Sequence, residues 1–152
     1  MTPDEVFAAL HREADAICGA RLFTVTVLDR KANLARRAYS SHPSDYPVTG
    51  TKPMGSNDWT EKVLEHGETF VANQTAEFSR YFVDYELINE LGCEAAVNIP
   101  VSKEGLVVGT VNILDKAGHF TQQRVTVLKQ MVADAQTGLL AAFDDVQLEE
   151  NI

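Results

Sequence analysis

The chain has 152 residues, enough for one domain with a substantial core. Hydrophobic residues make up 45% and charged residues 23%, which excludes a disordered or collagen-like chain. With 13 Lys and Arg against 22 Asp and Glu, the net charge is −9; a phosphate-backbone binder needs a basic face, so nucleic acid is not an expected partner.

Thr2-Pro3-Asp4-Glu5 reads as a helix start and not as an export leader, so a cytoplasmic protein is expected. Val6, Leu10, Ala14 and Ile17 then form one apolar stripe of a helix over 4–18, which Gly19 is placed to end. Residues 21–29 alternate, with Phe23, Val25 and Val27 on one face and Leu22, Thr24, Thr26 and Leu28 on the other. A turn over 29–33 returns the chain as a strand over 34–40, in which Arg36 and Arg37 point to opposite faces.

Residues 40–58 contain Pro43, Gly50, Pro47, Pro53 and Gly55 and are expected to hold neither helix nor strand. Tyr46, Val48 and Met54 offer apolar anchors for this segment, which is read as an ordered flap. Short helices near 57–66 and 84–91, with a strand over 69–72 between them, complete an aromatic-rich middle third carrying Trp59, Phe70, Phe78, Tyr81, Phe82 and Tyr85.

The clearest strand pair is Ala95–Val101 with Leu106–Leu114, the latter far too short and too polar at Thr110 and Asn112 to cross a membrane. Ala95, Val97, Ile99 and Val101 share one face with Val107, Gly109, Val111 and Ile113. A three-residue turn with Gly105 left-handed would pair Ser102 with Leu106 and Asn98 with Thr110. Asn98, Thr110 and Asn112 then gather on the opposite face, joined by Thr24 and Thr26. Asn is disfavoured in strand interiors, and two readings stand side by side: a wet sheet face, or a covered polar floor that orients a small ligand.

Thr121 caps a final helix over 121–148, in which Val125, Leu128, Val132, Ala135, Leu139, Ala142 and Val146 recur at steps of three and four. As one rod it would span roughly 42 Å, longer than one sheet face of this size needs. Its stripe could serve a long core helix with a frayed end, but with that of the first helix it is read in preference as a homodimer interface.

Catalytic and metal chemistry leave few traces. The four His are scattered, without a His-Glu-x-x-His or Cys-x-x-Cys motif, so no metal site is expected, and no cofactor is indicated. Gly50-Thr51-Lys52-Pro53-Met54-Gly55-Ser56 only imitates half a phosphate loop. Cys93 is the one candidate nucleophile, and two cysteines, Cys18 and Cys93, are too few for a disulfide framework and suit a reducing compartment.

The order helix, hairpin, irregular middle, strand pair, helix resembles a GAF domain. The residues that carry the likeness are Gly92-Cys93-Glu94-Ala95-Ala96-Val97-Asn98-Ile99-Pro100-Val101, Gly105 to Leu114, and Gly118-His119-Phe120-Thr121; Leu22 to Asp29 and Phe70-Val71-Ala72-Asn73 match earlier strands. The resemblance spans nearly the whole chain and implies an α+β fold: a central antiparallel sheet with the terminal helices on one face and loops and short helices over a cavity on the other. With no output domain in 152 residues, the chain looks like the stand-alone type. Members that bind cyclic nucleotides end a motif in Asp-Glu; Lys116 and Phe120 match it, but Arg124-Val125 stand at the acidic positions. No Cys-His dipeptide is present for a bilin, and Cys18 and Cys93 are placed differently from the cysteines of members that reduce methionine sulfoxide.

The expected function is therefore a small-molecule-binding sensor module, acting as a dimer in signalling, with no assigned catalysis. The expected ligand contacts are Asn98, Thr110, Asn112, Thr24 and Thr26 from the floor and Tyr39, Tyr46, Trp59 and Phe82 from the walls. The alternatives are a thiol-dependent redox enzyme using Cys93 and a ligand-free dimerisation domain, for which a collapsed cavity would be the sign.

Overall fold

The computed structural model describes residues 1–48 and 51–150, with side chains described as far as Val146. Gly50 of the proline-bent segment and the side chain of Leu148 lie outside the described residues. Helix α1 (Pro3–Cys18) begins with a reciprocal cap: Thr2 Oγ1 accepts the Glu5 N–H at 3.2 Å, and the Glu5 carboxylate accepts the Thr2 N–H at 3.0 Å. Pro3 opens the helix, where its missing N–H costs nothing.

Strands β1 (Leu22–Asp29) and β2 (Leu34–Ser40) form the expected hairpin. The middle of the chain supplies β3 (Thr51–Pro53), α2 (Asp58–Thr60) running into a π-helical turn over Glu61–Glu65, β4 (Phe70–Ala72), a 3-10 turn over Thr75–Glu77, and α3 (Tyr85–Glu90). The strands β5 (Ala95–Lys103) and β6 (Leu106–Asp115) and the helices α4 (Gln122–Asp134) and α5 (Gln136–Glu150) complete it. One antiparallel sheet results, in the order β3-β2-β1-β6-β5-β4. The fold class is α+β.

The strands' apolar alternation decides which face the helices cover. Phe23, Val25 and Val27 of β1, Val97 and Ile99 of β5, and Val111 and Ile113 of β6 are buried against Phe7, Leu10, Leu128, Met131, Leu139 and Phe143 of the terminal helices. Burying each large side chain contributes on the order of 1.5–3 kcal/mol. Gly109 makes the close approach possible: a Cβ there would lie 2.5 Å from the Thr26 carbonyl oxygen and 2.7 Å from the Phe143 ring.

Four expectations need correction. The final helix is not one rod, because it breaks at Ala135 (φ −89°, ψ 0°), whose N–H is shared between the Met131 and Val132 carbonyls. Both halves thereby reach α1 and β5, and Leu128, Val132, Leu139, Ala142 and Val146 are buried within the same chain. The segment over 40–58 does contain a strand, β3, which pairs with β2; its Pro53 sits at the end of an edge strand, where no ladder donor is needed. Tyr46 is buried and Met54 half-buried, but Val48 is exposed and anchors nothing.

The fourth correction is register. Lys103 pairs with Leu106, leaving a two-residue turn in which Glu104 (φ 54°) and Gly105 (φ 81°) are both left-handed, the geometry of a type I′ hairpin. A bulge follows, since Ser102 opposes Val107 while Val101 opposes Gly109. Asn98 therefore pairs with Asn112 and not with Thr110, which lies opposite Pro100. The bulge also turns Val107 to the other face, where it packs with Leu28, Val63 and Leu64.

Candidate functional site

On the face away from the helices, cross-strand pairing lines up polar residues in rows. Asn98 of β5, Asn112 of β6, Thr24 of β1 and Ser40 of β2 oppose one another in one row. Thr110 of β6, Thr26 of β1 and Arg37 of β2 form the next. Asn98, Asn112, Thr24 and Thr110 are all buried, so this face is not a wet one. A cavity of about 250 Å³ stands above it. That is slightly below the range of drug-sized sites and suits a small ligand.

The row is joined by side-chain hydrogen bonds. Trp59 Nε1 donates to Asn98 Oδ1 at 3.0 Å, Asn98 Nδ2 donates to Asn112 Oδ1 at 2.8 Å, and Asn112 Nδ2 donates to Thr24 Oγ1 at 3.1 Å and Thr26 Oγ1 at 3.0 Å. Each amide thus satisfies its neighbour, which is what allows two Asn to sit in central strands without the desolvation penalty of unpaired groups.

The walls come from outside the central strands. Trp59 enters from α2, whose Asn57 cap accepts the Thr60 N–H at 2.8 Å. Phe82 stands edge-on to Trp59 at 6.3 Å between ring centroids, and packs further against Phe70 and Phe78. Leu28, Leu64, Met54 and Ile88 add apolar lining. At the β2–β3 end, the Arg37 guanidinium lies 3.6 Å from the centre of the Tyr46 ring, donates to the Pro47 carbonyl at 2.8 Å, and pairs with Asp84 at 3.8 Å. Burial and the Asp84 charge push the Tyr46 phenol well above its ordinary range, so it stays neutral.

Eight of the residues expected to contact a ligand line this one cavity: Asn98, Thr110, Asn112, Thr24, Thr26, Tyr46, Trp59 and Phe82. Tyr39 does not. A bulge at Ala38 separates the Val25–Tyr39 pair from the Thr26–Arg37 pair, and Tyr39 points to the helix face, 6.0 Å from Phe7 and 6.1 Å from Phe23 between ring centroids. Arg37, Lys52 and Asp84 line the cavity without having been singled out as ligand contacts. Strand alternation identifies one face of β2 for Arg37. Lys52 of β3 faces the cavity because it pairs with Ala35 of β2, in a strand hidden among flanking glycines and prolines.

Cys93 is fully buried beneath Leu22, Phe78 and Ile88. Burial, reinforced by the Asp115 carboxylate and only partly offset by Arg21, pushes its thiol up to about 12. A nucleophile must be a thiolate, so this site holds Cys93 in its unreactive form. Among the described residues no group of three or more His, Cys, Asp or Glu side chains could hold a metal ion, and no helix is long and apolar enough to cross a membrane.

The sheet thus carries its terminal helices on one face and a roofed cavity on the other. The GAF domain family model matches residues 1–139, and the chain belongs to that family. GAF domains are known in sensor and signalling proteins. Among solved structures, the GAF domain/HD domain protein from Geobacter sulfurreducens superimposes with a TM-score of 0.72 at 16% identity, covering 91% of this chain and 93% of that one. The GAF domain of a two-component sensor histidine kinase from Bacillus halodurans gives 0.71 at 13% identity, covering 96% of each chain. The second GAF domain of DevS from Mycobacterium smegmatis gives 0.66 at 15% identity, covering 96% of this chain and 99% of that one. At such identities the likeness concerns the fold. No curated protein matches the sequence.

Proposed function

We propose that the chain is a small-molecule-binding sensor module that acts in signalling. The observation that supports this most directly is the cavity: an ordered row of buried amides and hydroxyls below, aromatic and aliphatic walls above, and about 250 Å³ left between them. A domain kept only for dimerisation has no use for that space, and side chains as adaptable as Met54 and Phe82 would fill it. Ligand entry would change how the sheet carries its helices, which makes binding a signal.

Dimerisation through the terminal helices, the second part of the proposal, would have to use their outer faces. The inner stripe is occupied by the chain's own sheet, and Val127 is the large apolar side chain that α4 leaves exposed. Native mass spectrometry of freshly purified protein tests both parts. The expected spectrum shows two subunits and a small-molecule adduct that is lost on collisional activation. A bare monomer, with Trp59 emission unmoved by a small-molecule extract of the producing cells, would refute the proposal.

A further inference from the structure

The hydrogen bonds of the floor have a direction, and one residue sets it. An indole N–H can only donate, so Trp59 requires an oxygen from Asn98. Asn98 must then present its NH2 to Asn112, which answers with its oxygen and turns its own NH2 toward Thr24 and Thr26. Both threonine hydroxyls are thereby used as acceptors, and neither donates to another described residue. Thr110 Oγ1, in the same row as Thr26, makes no hydrogen bond among the described residues. The floor accordingly offers the cavity three O–H donors, with hydroxyl lone pairs left open beside them.

The charges at the rim lean the same way. Arg37 and Lys52 face one carboxylate, Asp84, and Arg37 is the one paired with it. Lys52 forms no ion pair among the described residues, although Asp84 lies close enough to act on its charge. Much of the side chain is exposed at the sheet edge, yet burial pushes its ammonium below the usual lysine range. A partly desolvated cation that shares its one nearby carboxylate with Arg37, and lines the same cavity as free hydroxyl donors, is a site for an anion.

We infer that the ligand is a small carboxylic acid with an apolar, ring-sized body, its carboxylate held at the Lys52 end of the cavity and its body against Trp59 and Phe82. One unpaired cation suits a monoanion better than a phosphate ester. This inference rests on the ligand-binding reading above.

Three probes that share a benzyl body test it: phenylacetate, its isostere phenylacetamide, and phenethylamine. Trp59 is the only tryptophan of the chain, so its emission reports on the cavity alone. Phenylacetate is expected to give a saturable change at an affinity at least about tenfold better than the amide or the amine. Lys52→Met, at an exposed edge strand, is expected to abolish that preference, and Lys52→Arg to restore most of it. An amide or amine that binds as well as the acid overturns the ligand class and leaves the binding module standing. An unchanged preference in Lys52→Met overturns the role of Lys52. No saturable response to any probe overturns the ligand class, and an adduct-free native spectrum then removes the binding reading as well.

Discussion

Successive residues of the same three strands build two different kinds of surface. On the helix side, Phe23, Val25, Val111, Ile113 and Val97 meet a continuous layer of apolar helix side chains. On the other side, Thr24, Asn112 and Asn98 are just as buried but leave a hollow above them. Stability comes from the first surface, because area removed from water and tight packing are both complete there. The second is held by mutually satisfied hydrogen bonds whose net worth is small, so it can keep empty space and donors in reserve.

The sharpest way to break this contrast is to cut the dry face. Phe23→Ala removes a fully buried ring that stacks on His11 at 5.0 Å and meets Tyr39 edge-on. It is expected to cost about 3–5 kcal/mol in a denaturant titration. Asn112→Ala, on the cavity face, deprives Asn98 Nδ2 of its acceptor and frees two threonines, for about 1–3 kcal/mol. Because both asparagines belong to one chain of bonds, Asn98→Ala added to Asn112→Ala should cost clearly less than the sum of the two single changes. Equal losses at Phe23 and Asn112 would mean that the two faces share the stabilising work.

The smallest effect, invisible at neutral pH, sits where the floor ends at Cys93. Its folded thiol, pushed up to about 12, keeps its proton where the unfolded chain releases it near the ordinary value of about 8.5. The contribution is therefore fully present below about 8.5 and declines as pH rises from there toward 12. Stability curves of the parent and Cys93→Ala should differ in alkaline slope, the variant being flatter. Alkylation at pH 8 should modify half-buried Cys18 well before Cys93. Rapid labelling of Cys93 in the folded protein would contradict the burial argument and reopen thiol chemistry.

Much of this fold is legible in the residues. Alternation in β1 and β5 assigns both faces correctly, and the caps at Thr2 and Thr121 mark where α1 and α4 begin. The register of β5 against β6 is misread by two residues, one from the length of the Glu104-Gly105 turn and one from the bulge before Gly109. Two is an even number, so Asn98 and Asn112 keep their face although their partners change. An odd bulge is less forgiving: at Ala38 it carries Tyr39 out of the site, and near Val107 it moves a valine into the cavity face.

By itself, the sequence determined that one sheet would have an apolar side and a side with amides and hydroxyls, because side-chain alternation is a local property of extended chain. Tertiary structure alone decided that the C-terminal stripe bends at Ala135 to cover its own sheet, that β3 exists as an edge, and that Trp59 orients the asparagines. These depend on bulges, on an edge pairing with no periodic signature, and on contacts between residues as distant as Thr24 and Asn112, which no local pattern encodes.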